Sequence, residues 1–296
     1  MEHEHVFVMN IDGSKVRELK HGLDRDFKNF TWASDSKSLF AYYETRGQGV
    51  LASIDLNGKA TTITEGIGNG TFGRPYAGGS YSIAKNGRYA YTKANTKAPA
   101  ALSVGHFPTK MANKTIVELN FTFLKNKKTG RVEVVNYTSS HDKKEIQGWV
   151  VYPPNFTEDK KYPLILEIHG GPHLAYGSHF SPELQLMPSR GFIVLYTNPR
   201  GSTTYGEDFG GYINHNYPSE DYDDLMSGVD MMTEKGFIDK ERLYITGGSG
   251  GGVLTAWSIG KTDRFRAAVV SKPVIKWYSF SLTSDGYNYY QQYWFT

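Results

Sequence analysis

Two patterns of apolar and polar positions divide this chain. Through residue 128, short apolar–polar alternations are broken by polar turns, and no stretch holds the spacing of a long helix. That pattern predicts an all-β segment. Val6 to Gly13 resembles Leu51 to Gly58, each a strand closed by an Asn/Asp and Gly turn. Phe30 to Phe40 likewise resembles Tyr81 to Tyr91. The copies are offset by about 45–50 residues, close to the length of one propeller blade.

From residue 131 the period changes. Apolar runs predict strands near 131–138, 144–152, 163–169, 192–198, 242–247 and 266–271, and helices near 180–190, 222–235 and 250–260. Gly191 and Gly236 sit where helix C-caps belong. The alternation implies a doubly wound α/β sheet. Its first two strands mix polar and apolar positions and read as an antiparallel edge hairpin.

The chemistry concentrates at two strand ends. Ile245-Thr246-Gly247-Gly248-Ser249-Gly250-Gly251-Gly252 reads as a strand end, a sharp turn holding one serine, and the first turn of a helix. The spacing Gly247-x-Ser249-x-Gly251 is the nucleophile-elbow pattern of α/β-hydrolases. A turn this tight brings strand and helix too close for flanking Cβ atoms and lifts the serine clear of the sheet. Ser249 is the candidate nucleophile, and the Gly250 N–H at the helix start points where an oxyanion would form. The second strand end is Leu164 to Pro172, closing in His169-Gly170-Gly171-Pro172. A glycine-rich loop at this place supplies the second oxyanion N–H. Pro172 has no N–H, so Gly171 is the better donor. His169 and His173 are read as loop buttresses rather than as the base. Arg200 in Asn198-Pro199-Arg200-Gly201 is expected to order the rim through an ion pair with a carboxylate such as Asp223.

Composition narrows the classes. Of 296 residues 39% are hydrophobic and 21% charged, values of a globular chain able to bury a core. The net charge of +3 and the absence of a Lys/Arg block give no sign of a nucleic-acid partner. There is no cysteine, which excludes disulfide and Cys–metal frameworks, and no apolar run of transmembrane length, which gives no membrane partner. Met1-Glu2-His3-Glu4-His5 is not a signal peptide, and the compartment stays open between cytoplasmic and periplasmic or secreted.

Taken in order, Gly148 to Pro154, Pro163 to Gly177, Thr197 to Gly206, Asp221 to Met226, Gly247 to Trp257 and Thr262 to Ala268 resemble the prolyl oligopeptidase family of serine peptidases, most closely its acylaminoacyl-peptidase branch. The resemblance implies an α/β-hydrolase peptidase domain over 129–296, preceded over 1–128 by the last blades of a β-propeller. It implies short peptides as substrates, an acyl-enzyme on Ser249, and no cofactor or metal. Two departures stand out. Residue 250 is Gly where the family often has Tyr, and the His169-Gly170-Gly171 loop lacks the Tyr that prolyl oligopeptidases and dipeptidyl peptidases place in the oxyanion hole. The first costs the elbow a packing side chain but keeps its backbone N–H, and the second favours two backbone donors, from Gly171 and Gly250. The triad order is Ser, then Asp or Glu, then His. No His follows Ser249, and Asp263 and Asp285 are the only acids there. The expectation is therefore a fragment, lacking its C-terminal portion and, with too few blades to close a ring, part of its front. An esterase on the same fold and a non-catalytic binding protein are the alternatives.

Overall fold

The computed structural model describes residues 4–68, 73–109 and 112–294. Met1 to His3 and the terminal pair Phe295-Thr296 lie outside the described residues.

The N-terminal part is β throughout, apart from one short helical turn. A two-stranded hairpin of β1 (Phe7–Val8) and β2 (Arg17–Glu18) comes first. Two antiparallel meanders follow. One runs β3 (Lys28–Trp32), β4 (Ser38–Thr45), β5 (Gln48–Asp55) and β6 (Ala60–Ile67). The other runs β7 (Tyr81–Ile83), β8 (Arg88–Lys93), β9 (Ala101–His106) and β10 (Lys114–Val117). Of the two repeat pairs, Phe30 to Phe40 and Tyr81 to Tyr91 fall on the opening hairpins of the two meanders, whereas Val6 to Gly13 holds β1 and Leu51 to Gly58 holds β5 of the first meander. The meanders share one ladder pair, Ile67 with Lys93, and pack on each other through Tyr42, Leu51 and Ile67 against Tyr89 and Tyr91. The inner strands β4 and β5 bury Leu39, Ala41, Val50, Ala52 and Ile54 against Phe27. After helix α1 (Phe121–Leu124) the chain enters the second half.

That half is one mixed six-stranded sheet in the order β11-β12-β14-β13-β15-β16. The strands are β11 (Val132–Thr138), β12 (Glu145–Val151), β13 (Tyr162–Ile168), β14 (Ile193–Asn198), β15 (Ile238–Gly248) and β16 (Ala267–Ser271). β11 and β12 form the expected antiparallel edge hairpin, and β14, β13, β15 and β16 run parallel. The central strands are apolar because both faces are covered. Helix α2 (Pro182–Ser189) lies over Trp149, Val194 and Tyr196 on one face. Its start is fixed by Ser181, whose side chain accepts from Leu184 N, and by Pro182. Helices α4 (Asp221–Glu234) and α5 (Gly250–Lys261) cover the other face, where Leu225, Val229 and Leu254 pack on Val150, Leu166 and Leu195. Gly191 and Gly236 take φ of 90° and 79°, as helix-ending glycines should. Three helices were not anticipated: α3 (Glu207–Gly211), and α6 (Trp277–Thr283) with α7 (Tyr287–Tyr293), which flank Asp285. No helix among the described residues is long and apolar enough to cross a membrane.

The two halves are tied by hydrogen bonds. Gly47 N donates to Thr204 Oγ1 at 2.9 Å, and Glu207 N to Asp24 Oδ1 at 3.0 Å. Arg46 Nη2 reaches Glu145 at 3.1 Å.

One buried group gives a pH prediction. Asp221, 1% exposed, accepts from Ser219 N and Tyr222 N through Oδ1, while Oδ2 has no partner. Burial pushes its carboxyl up to about 7, against the pull of the backbone N–H groups and with a push from Asp224. An acid whose pKa is raised on folding contributes stability below its unfolded value and loses it as pH rises through the folded one. Thermal melts of wild type should therefore fall between about pH 4 and pH 8. Asp221→Asn should flatten the difference, raising Tm by several degrees at pH 8 and little at pH 4. Parallel profiles for the two proteins would contradict this.

Candidate active site

β15 ends at Gly248 and α5 begins at Gly250, so the whole reversal from strand to helix falls on Ser249. Ser249 takes φ 58°, ψ −119°, a strained conformation for any residue with a Cβ. Its side chain is exposed. The glycines are there for space. A Cβ on Gly247 would overlap the Gly251 carbonyl, and one on Gly251 would lie 2.6 Å from the His169 carbonyl oxygen. The elbow is held by Ser249 N donating to Ser271 O at 3.0 Å, and by Thr255 Oγ1 donating to Gly251 O at 2.7 Å. Tyr217 Oη donates to Gly250 O at 2.8 Å. Sequence reasoning missed that support.

The second loop meets the elbow here. A Cβ on Gly250 would stand 3.0 Å from the Gly171 carbonyl carbon and 3.1 Å from its nitrogen. The two glycines assigned as donors are thus in backbone contact. Gly250 opens α5, so its N–H has no intrahelical acceptor. The Gly171 N–H makes no hydrogen bond among the described residues. Gly171 holds φ at 127°, which a side chain would resist. A free N–H at a helix N-terminus beside a second free N–H, next to an exposed hydroxyl, is suited to stabilising negative charge on a carbonyl oxygen attacked by that hydroxyl.

The histidines near the loop are structural. His169 is 3% exposed, with Nδ1 2.7 Å from Gly170 O and Nε2 2.9 Å from Ser202 Oγ. Burial lowers its pKa to about 4, so it stays neutral near pH 7. His173 is bonded through Nδ1 to Tyr289 Oη of α7, and burial lowers it to about 4 as well. Among the described residues no imidazole or carboxylate is hydrogen-bonded to Ser249 Oγ, and they form no group of ligands that could hold a metal. Asp263 lies in the turn after α5.

Arg200 orders the rim, through a different carboxylate from the one expected. Its Nε and Nη2 bind Asp224 Oδ2 and Oδ1 at 2.9 and 2.8 Å, and Nη2 also reaches Asp142 Oδ1 at 3.1 Å. Asp223 is not the partner. One residue along α4 rotates a side chain by about 100°. Asp224 therefore faces the sheet with Leu225 and Gly228, while Asp223 is only partly buried.

The arrangement is an all-β part followed by an α/β sheet with a serine on a strand-to-helix elbow, the layout of a serine hydrolase. Residues 178–296 match the prolyl oligopeptidase family, and the chain belongs to that family. An uncharacterized peptidase of Bacillus subtilis, YuxL, is 32% identical over 86% of this chain and 37% of its own length. A dipeptidyl-peptidase 5 of Porphyromonas gingivalis is 27% identical over 90% of this chain and 38% of its own. The structure of an acylaminoacyl peptidase from Pyrococcus horikoshii superposes with a TM-score of 0.80 at 25% identity, covering 95% of this chain and 43% of that one. The chain thus spans well under half the length of these relatives.

Proposed function

We propose that the chain carries the nucleophile and oxyanion hole of a serine peptidase acting on short peptides through an acyl-enzyme. Residues 1–128 are the last blades of a β-propeller and 129–296 the peptidase domain. The observation that carries this reading is the exposed Ser249 at φ 58°, ψ −119°, beside the unused N–H groups of Gly250 and Gly171. Ser249 Oγ attacks the scissile carbonyl, and the two N–H groups hold the oxygen as it gains charge. The serine proton must pass to a base, and an isolated hydroxyl is a poor nucleophile without one. With no imidazole on Ser249 Oγ among the described residues, the 296 residues alone are expected to be inert. Hydrolysis needs a histidine supplied from outside them. Peptides are favoured over esters because relatives in both comparisons are named as peptidases.

The test compares two proteins on acyl-aminoacyl and dipeptidyl arylamides and on aryl esters. One is the 296-residue chain, and the other a longer protein carrying it together with a histidine base. The longer protein should cleave the arylamides and the shorter should not. Turnover by the 296 residues themselves, abolished by Ser249→Ala, would overturn the inert reading. Ester cleavage without arylamide cleavage by the longer protein would move the function to an esterase.

A further inference from the structure

The N-terminal β part reaches into the site through one short strap. Between β6 and β7, residues 74–77 lie antiparallel on residues 175–177. Ala77 N donates to Ala175 O at 2.8 Å, Gly177 N donates to Pro75 O at 2.7 Å, and Tyr76 pairs with Tyr176. Arg74 anchors the strap's start on the fully buried Glu167, near the end of β13, and on Glu183 Oε1 at 3.3 Å. Glu167 precedes the His169-Gly170-Gly171 loop and Tyr176 follows it, so the strap grips the loop at both ends. Between these anchors the Tyr76 ring leans on Tyr176, centroids 4.9 Å apart, and edge-on to His169 at 6.5 Å. Its hydroxyl accepts from Gly170 N at 2.9 Å. A Cβ placed on Gly170 would stand 3.3 Å from both Tyr76 Oη and Ser249 Cβ, so the loop backbone is sandwiched between the tyrosine hydroxyl and the elbow.

We propose that Tyr76 is a positioning residue for the oxyanion hole, its hydroxyl holding the Gly170 N–H so that the next N–H, that of Gly171, stays free and aimed beside Ser249. The inference rests on the peptidase reading and deepens it. The loop that binds the oxyanion is set by a residue of the β part, so the β part takes part in catalysis through this strap. The chemistry is specific to a phenol. The ring supplies reach and packs on His169 and Tyr176, and the oxygen accepts the Gly170 N–H. Burial raises the Tyr76 pKa, which keeps the phenol neutral. A neutral hydroxyl accepts from Gly170 without placing a negative charge beside a site built to attract one.

The test separates the hydrogen bond from the fold and from the peptidase reading. Tyr76→Phe keeps the ring and removes the oxygen. In the 296-residue chain, amide exchange followed by NMR should show Gly170 exchanging at least about tenfold faster in Tyr76→Phe, with Ala77 and Gly177 unchanged. In the longer protein with its histidine, kcat should fall roughly tenfold, the size of one hydrogen bond, with KM within about twofold. Unchanged Gly170 exchange, or unchanged kcat, would overturn the proposal. So would equal loosening of Ala77 and Gly177, which would mean that the variant releases the whole strap. Wild type lacking any Ser249-dependent turnover would instead sink the peptidase reading, and the exchange experiment would still decide whether Tyr76 holds the loop.

Discussion

Arg200→Leu should destabilise the protein by about 3–5 kcal/mol, the range found when one partner of a buried ion pair is removed. Arg200 is 5% exposed and the Asp224 side chain is fully buried. Besides the paired contacts to Asp224, the Arg200 backbone N donates to Asp224 Oδ2 at 2.8 Å, and Nη2 reaches Ser139 Oγ at 3.2 Å. Leucine would strand the Asp224 carboxylate in a dry setting, where it must hold an unpaired charge or take up a proton. The double variant Arg200→Leu/Asp224→Leu removes both charges and should recover most of the loss, because a well-packed apolar pair is often as stable as the ions it replaces. Asp142 stays partly exposed and keeps Lys144 at 2.8 Å, so it does not become a second stranded charge. Urea unfolding of the two variants is the measurement. A single variant within about 1 kcal/mol of wild type, or a double variant no better than the single, would contradict the assignment.

The second large effect is at the elbow. Ser249→Ala and Ser249→Gly should each remove turnover in the longer, histidine-bearing protein, by on the order of 10⁶ in kcat, since the nucleophile cannot be substituted. Their stabilities should differ. At φ 58°, ψ −119° any Cβ is strained, and only glycine takes such angles without cost. The glycine variant should be more stable than the alanine variant by roughly 1–3 kcal/mol, the size of such a local strain. Equal stabilities in thermal or urea unfolding would mean that the elbow is not strained. Retained turnover in either variant would remove Ser249 from the chemistry.

The legible parts of this protein are those written in local pattern. β13 and β14 were readable because buried parallel strands are near-continuous apolar runs. The elbow was readable because its Gly247-x-Ser249-x-Gly251 spacing is a local pattern, although Gly251 also clears the His169 carbonyl oxygen of the distant loop. Of the repeat, the pair at Phe30 and Tyr81 marks the opening hairpins of the two meanders, while the copies at Val6 and Leu51 fall on strands in unlike places. What could not be read depends on distance or on phase. Tyr76 supports Gly170 across 94 residues, and nothing around position 76 marks it. Tyr217 likewise meets the elbow from 33 residues away. The partner of Arg200 was missed by one position because Asp221, Asp223 and Asp224 are alike in sequence and differ only in which side of the helix they face. The helices α6 and α7 were missed because their Tyr, Phe, Trp and Ser residues are middling helix formers. Their aromatic side chains instead pack on one another, as Phe280 does on Tyr290 at 4.3 Å.

The central claim is that Ser249 is an activated nucleophile, and covalent labelling tests it most directly. The longer protein with its histidine is treated with a fluorophosphonate, digested, and the modified peptide identified by mass spectrometry. The reagent should attach to Ser249 alone, with no labelling after Ser249→Ala. A label on another residue, with the Ser249 peptide recovered unmodified, would contradict it.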